Sequence, residues 1–69
     1  MLKFELNGEE YIELYKLLKA LQIADSGAMA KALVEAGKVI RNGQPESRKR
    51  AKIREGETIE VMGQTIQVV

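Results

Sequence analysis

Between Gly37 and Arg54 the chain reads Gly-Lys-Val-Ile-Arg-Asn-Gly-Gln-Pro-Glu-Ser-Arg-Lys-Arg-Ala-Lys-Ile-Arg. Seven of these residues are cations (Lys38, Arg41, Arg48, Lys49, Arg50, Lys52 and Arg54), and Glu46 is their one anion. The segment from Lys38 to Arg54 therefore carries +6 and the remainder −5, although the whole chain has a formal net charge of only +1. Charge gathered in this way draws polyanions to one face and leaves the rest acidic and solvated. Guanidinium forks grip phosphate oxygens in pairs, whereas ammonium groups act as point charges. Contacts of this kind position a nucleic-acid backbone without reading its bases. If the run from Arg48 to Arg54 is extended, Arg48, Arg50, Lys52 and Arg54 project to one side at about 6.6 Å intervals, and Ala51 and Ile53 turn to the core. The bland alternative is a solvated sheet edge, whose lysines discourage strand-to-strand association. For binding to hold, the cations must share a face and must not be cancelled by the glutamates elsewhere.

Other chemistry finds little support. Without cysteine or histidine, disulfides, thiolate metal sites and the usual neutral-pH proton shuttle are all missing. Glu9, Glu10 and Glu13 read as dipole and solvation partners of a helix start rather than as an acid–base pair. No phosphate loop, nucleophile–base constellation or metal spacing can be assembled. The expectation is therefore no catalytic residue, no metal, no cofactor and no small-molecule substrate. The opening Met-Leu-Lys-Phe-Glu-Leu lacks the apolar run of a signal peptide, and no segment reaches membrane-spanning length. A bacterial-type cytoplasmic protein with no membrane partner is expected. At 69 residues the chain has room for one domain, spanning 1–69.

The elements that must hold the basic segment follow from periodicity. Leu2, Phe4 and Leu6 alternate with Lys3 and Glu5 as a short half-buried strand, stopped by Asn7-Gly8. Leu14, Leu17, Leu18 and Leu21 fall on one arc with Tyr11 and Tyr15 at its shoulder, which predicts an amphipathic helix over roughly 9 to 21. Ser26 is a good N-cap for a second helix that runs to about Ala36, where Gly37 suits a left-handed terminator. On that helix Ala28, Met29, Ala32, Leu33 and Ala36 share the face expected to pack, with Gly27, Lys31 and Val34 on the other. Val39 and Ile40 lead into Asn42-Gly43, a tight hairpin turn. Pro45 marks the returning strand as an edge or as irregular. Turns at Glu55-Gly56 and Gly63-Gln64 bracket a strand with Ile59 and Val61 on one face, and Thr65 to Val69 is a final strand carrying Ile66 and Val68. The plan is α+β: a short N-terminal strand, two packed helices, then a small antiparallel sheet of short strands.

From Ser26 to Val61 these residues resemble the RNA-binding domain named for the fourth protein of the small ribosomal subunit, the S-four domain. The carriers are Ser26 and Ala30, then Gly37-Lys38-Val39-Ile40-Arg41-Asn42-Gly43, then Gly56-Glu57-Thr58-Ile59-Glu60-Val61. Within that family the chain is most similar to the small stand-alone YbcJ type, through Leu17-Leu18-Lys19, Ser26 to Lys31, and Glu46 to Arg50. The resemblance implies the αL-type RNA-binding motif, with the helix-two face of Ser26, Gly27 and Lys31 lying beside the basic segment. It implies RNA-binding roles for Ser26, Gly27, Lys31, Lys38, Arg41, Arg48, Lys49, Arg50, Lys52 and Arg54. Two residues depart from the family. Gly27 stands where many members carry an arginine that contacts RNA, and Lys31, one turn on, is its substitute; glycine there also lets backbone N–H groups approach a phosphate. Arg41 stands where an apolar strand residue is usual, so it either points outward and enlarges the patch or points inward.

Structured RNA is the implied partner: ribosomal RNA or a ribosomal particle first, transfer RNA second. There is no tryptophan, the one phenylalanine lies in a strand pattern, and both tyrosines fall on helix one, so no platform for splayed bases is evident. Three rivals stand beside this reading. Catalysis lacks residues. A ubiquitin-like sulfur carrier needs a Gly-Gly tail, where this chain ends Val68-Val69. A protein adaptor would dock an acidic partner on the same basic face.

Overall fold

Leu2, Lys3 and Phe4 form β1 (Leu2–Phe4), which pairs in parallel with the last strand, β7 (Gln64–Val68). The computed structural model describes all residues 1–69. After β1 the chain does not enter a helix at Glu9. Residues Ile12–Glu13 form β2, and helix α1 spans only Leu14–Ala20. The expected helix over 9 to 21 is thus shortened at its start. Tyr and Ile at 11 and 12 suit extended backbone, and β2 finds an antiparallel partner in β5 (Lys52–Ile53), with Ile12 opposite Ile53 and Glu13 opposite Lys52.

Helix α2 (Gly27–Glu35) begins where expected: the Ser26 hydroxyl accepts from the Met29 amide at 3.1 Å. It ends with Ala36 and a left-handed Gly37 at φ +75°. Its rotation about its own axis differs from the expected one. The buried residues are Ala30 and Val34, while Ala28, Met29, Ala32 and Ala36 are exposed. One Val side chain transfers more apolar area than an alanine does, so Val34 and its neighbour one turn back set the packed face. Gly27 and Lys31 therefore turn toward α1 rather than away from it.

The remaining strands are β3 (Val39–Arg41), β4 (Gln44–Pro45) and β6 (Thr58–Val61). The main sheet has the order β1-β7-β6-β3-β4, antiparallel except at β1, and the β2-β5 ribbon stands apart from it. Asn42 and Gly43 both take positive φ, at 50° and 84°, as a two-residue hairpin turn of the primed type demands. Pro45 sits on the outer strand β4, where its missing N–H costs no ladder bond. The β6–β7 turn falls at Met62-Gly63, one residue earlier than expected.

One core joins helices and sheet. Leu14, Leu17 and Leu18 of α1, Val34 of α2, and Val39, Ile53, Ile59, Ile66 and Val68 of the strands are all fully buried. Each contributes about 1.5–3 kcal/mol of apolar transfer. No helix is long and apolar enough to cross a membrane.

Candidate functional site

The end of the basic segment is held by its backbone, which leaves Arg48, Arg50, Lys52 and Arg54 exposed. The amide of Leu14 donates to the Ala51 carbonyl at 2.9 Å, and that of Tyr15 to the Lys49 carbonyl at 3.0 Å. These are opening N–H groups of α1, which has no side-chain cap, so the turn supplies the acceptors that the helix end needs. The Ala51 amide closes the turn on the Arg48 carbonyl at 3.1 Å. Residues 48–50 are consequently a turn and not part of an extended run. Alternation holds only beyond it, with Ala51 and Ile53 buried and Lys52 and Arg54 exposed. The outcome still gathers charge. Arg41, Arg48, Arg50, Lys52 and Arg54 line one shallow depression, with Ala51 as its only apolar contributor.

Arg41 lies inward. It stands opposite Ile59 in the β3–β6 ladder, on the core side, with its side chain 22% exposed. Its Nε and Nη2 donate to Glu57 at 2.7 and 3.1 Å, Nη1 to Glu46 at 3.0 Å, and Nη2 also to the Lys52 carbonyl at 3.0 Å. An arginine can hold this position because two carboxylates meet it there. Of the two directions open to Arg41 the structure shows the inward one, from which it lines the depression and ties the loop to the sheet. Glu57 also accepts from the Arg54 amide at 2.6 Å and from Asn42 at 2.9 Å, while Asn42 Oδ1 takes the Thr58 amide at 2.8 Å.

The titration of these groups reflects the network. Side-chain hydrogen bonds from Arg48 do most to hold Glu46 down at about 2, aided by the Arg48 amide and Arg41 and opposed by burial. At Glu57, burial works against ionisation, but bonds from Arg41, the Arg54 amide and Asn42 outweigh it and the carboxyl sits below its ordinary range. The bonds to Glu57 foremost hold the Arg41 guanidinium above its ordinary value.

The glutamates do take partners on the patch. Arg48 pairs with Glu46 at 3.0 Å, Lys49 with Glu35 at 3.2 Å and Arg50 with Glu13 at 3.8 Å. Arg48 and Arg50 are nevertheless 74% and 62% exposed. The single-contact pairs of Lys49 and Arg50 are worth about 0–1 kcal/mol and yield readily to a better-placed anion, whereas Arg48 holds the buried Glu46 through a two-bond fork. Lys52 and Arg54 make no carboxylate pair at all. Lys49 leans toward the end of α2 and does not line the depression. Lys38 belongs elsewhere: it precedes β3 at the end opposite Arg41, about 10 Å along the strand, beside Glu60, Met62 and Gly63. The single basic face expected to include Lys38 thus divides.

Helix α2 joins the site through an aromatic ring. Lys31 Nζ lies 4.7 Å from the Tyr15 ring centroid, and Arg50 Cζ lies 5.6 Å from the same centroid. A methyl group added at Gly27 would meet Tyr15 Cε2 at 3.9 Å, an ordinary contact. Gly27 and Lys31 therefore flank the basic turn, and Ser26 stands at the same helix start as an exposed cap. Tyr11 was the residue the periodicity hid. It is not on α1 but just before β2, with Lys52 Nζ 5.1 Å and Arg54 Cζ 5.6 Å from its ring centroid. Both tyrosines thus interleave with cations. A pairing of residues 12–13 with 52–53 would have revealed this, but two-residue strands so far apart leave no periodic signal. Glu9, Glu10 and Glu13 line a neighbouring acidic groove together with Tyr11, Ile12 and Lys16. No His, Cys, Asp or Glu residues assemble as a metal site.

Comparison with known proteins places this geometry in context. The family model described as S4 domain matches residues 4–69. Over all 69 residues, and over 99% of each relative, the chain is 41% identical to YbcJ of Escherichia coli, a candidate RNA-binding protein, and to YbcJ of Shigella flexneri, which is uncharacterised. The solution structure of YbcJ from E. coli, which reveals an αL motif involved in RNA binding, superposes with a TM-score of 0.77 at 40% identity. That match covers 100% of this chain and 87% of that one. Heat shock protein 15 of Vibrio cholerae, a trimeric structure, superposes with a TM-score of 0.69 at 29% identity, covering 80% of this chain and 55% of that one.

Proposed function

This chain belongs to the S4 domain family, and from that premise we propose that it is a non-catalytic RNA-binding module that docks a basic face on the phosphate backbone of structured RNA. The observation that carries the reading is the depression formed by Arg41, Arg48, Arg50, Lys52 and Arg54. Its backbone is pinned to α1, so little loop ordering opposes binding, and its outer cations are free to exchange surface partners for phosphate oxygens. The αL motif involved in RNA binding in YbcJ supports RNA as the ligand. Gly27 and Lys31, reached through Tyr15, extend the same face. Ribosomal RNA, free or in a particle in the cytoplasm, is the first class to test and transfer RNA the second.

The experiment is a salt titration of a structured RNA with the wild type and an Arg50→Ala/Lys52→Ala/Arg54→Ala variant whose fold is checked by circular dichroism. Each duplex phosphate contact removed should flatten the slope of log affinity against log salt by roughly 0.9. Unchanged affinity in the folded variant would remove the depression from the mechanism. Equal binding to an acidic polypeptide of matched charge would favour a protein adaptor instead.

A further inference from the structure

The geometry points to Tyr11 as a stacking platform for one unpaired base of the bound RNA, next to the phosphates held by Lys52 and Arg54. The inference rests on the RNA-binding reading above and refines which RNA is bound: a helix with an unpaired nucleotide beside it, rather than an uninterrupted duplex.

Three observations carry it. Tyr11 is the exposed aromatic of this chain, 37% accessible, whereas Phe4 and Tyr15 pack against the core. Its backbone leads directly into β2, whose pairing with β5 holds the ring beside Lys52 and Arg54. Those two residues are also the cations of the depression that make no ion pair. Their heads rest instead against the Tyr11 ring.

A cation resting on an exposed aromatic ring is held weakly, and less firmly than by a phosphate oxygen. When a phosphate enters the depression, Lys52 and Arg54 turn to it and the ring is uncovered. A flat apolar surface next to a seated phosphate is the arrangement that captures an unstacked base, whose π-face packs on tyrosine whatever its identity. Direction is set as well. Glu9 and Glu10, just before Tyr11 in the chain, line an acidic groove with it and repel phosphate, so the backbone lies on the Lys52–Arg54 side and the base reaches across to the ring.

Two RNAs test this: a hairpin with an uninterrupted stem, and the same stem carrying a single-nucleotide bulge. Wild type should prefer the bulged RNA. Tyr11→Leu should lose affinity for it on the order of tenfold, with little change for the plain stem, and Tyr11→Phe should keep the preference. A direct readout is available because the chain has no tryptophan and two tyrosines. In a Tyr15→Phe background the emission reports Tyr11 alone. It should be quenched by the bulged RNA and far less by one with an abasic bulge. Equal losses on both RNAs would make Tyr11 a support for its two cations and overturn the stacking role, as would an unaltered preference in Tyr11→Leu. Failure of the wild type to bind either RNA would sink the RNA-binding reading itself, and this refinement with it.

Discussion

The amide of Tyr15 donates to the carbonyl oxygen of Lys49 across 3.0 Å, joining the first turn of α1 to the middle of the basic turn. With the Leu14–Ala51 bond beside it, helix start and turn form one unit. Opening N–H groups of a helix usually exchange with solvent quickly, since they have no intrahelical partner. Here the Leu14 and Tyr15 amides should be protected to nearly the level of the core in native-state hydrogen exchange. Rapid exchange at both would show that the turn is not seated as described.

Glu46 supplies a pH signature. Its folded carboxyl is lowered from 4.5 to about 2. A depressed carboxylate contributes stability that is fully present above its unfolded pKa and is lost as pH falls through the folded value. Glu57 shifts in the same direction. Denaturant midpoints should therefore hold steady above about pH 5 and decline between about pH 4.5 and 2. Glu46→Gln should be less stable at pH 7 by about 1–3 kcal/mol and show a shallower acid decline. Identical acid profiles for the two proteins would refute the pairing.

Arg41 should behave as a structural residue. Arg41→Met leaves Glu57 and Glu46 partly uncompensated on the core side of β3, so unfolding free energy should fall by about 2 kcal/mol. Arg41→Lys should recover little, because one ammonium cannot span two carboxylates and the Lys52 carbonyl as the guanidinium does. Urea melts measure both. Full rescue by lysine would mean that charge alone matters there.

Lys38 and Lys52 separate the two ends of the basic segment. Removing one duplex phosphate contact costs about fivefold in affinity at roughly 0.15 M salt. Lys52→Ala should show that loss and Lys38→Ala should not, measured by fluorescence anisotropy on the same RNA. Equal losses would restore Lys38 to the interface.

Ser26 caps α2 by accepting from the Met29 amide. Ser26→Ala should lower stability by about 1 kcal/mol and leave the salt slope for RNA unchanged. A flatter slope at full stability would show that the hydroxyl or the helix start contacts phosphate.

Local chemistry made much of this molecule legible before any coordinates. The Ser26 cap, the left-handed Gly37, the Asn42-Gly43 hairpin, the edge proline and the alternating Ile59, Val61, Ile66 and Val68 each depend on neighbours a few residues away. Charge clustering is equally local, and the order of the motifs pointed to the family. What only the assembled chain decided came from contacts distant in sequence. Residues 12–13 pair with 52–53, and this shortens α1 and carries Tyr11 to Lys52 and Arg54. Val34, not the alanine-rich face, turned α2 toward the core. Arg41 points inward because Glu46 and Glu57 arrive from other elements to meet it. Spacing along a chain reports which residues share a face, but a partner for that face is chosen by packing and pairing energies that no short window contains.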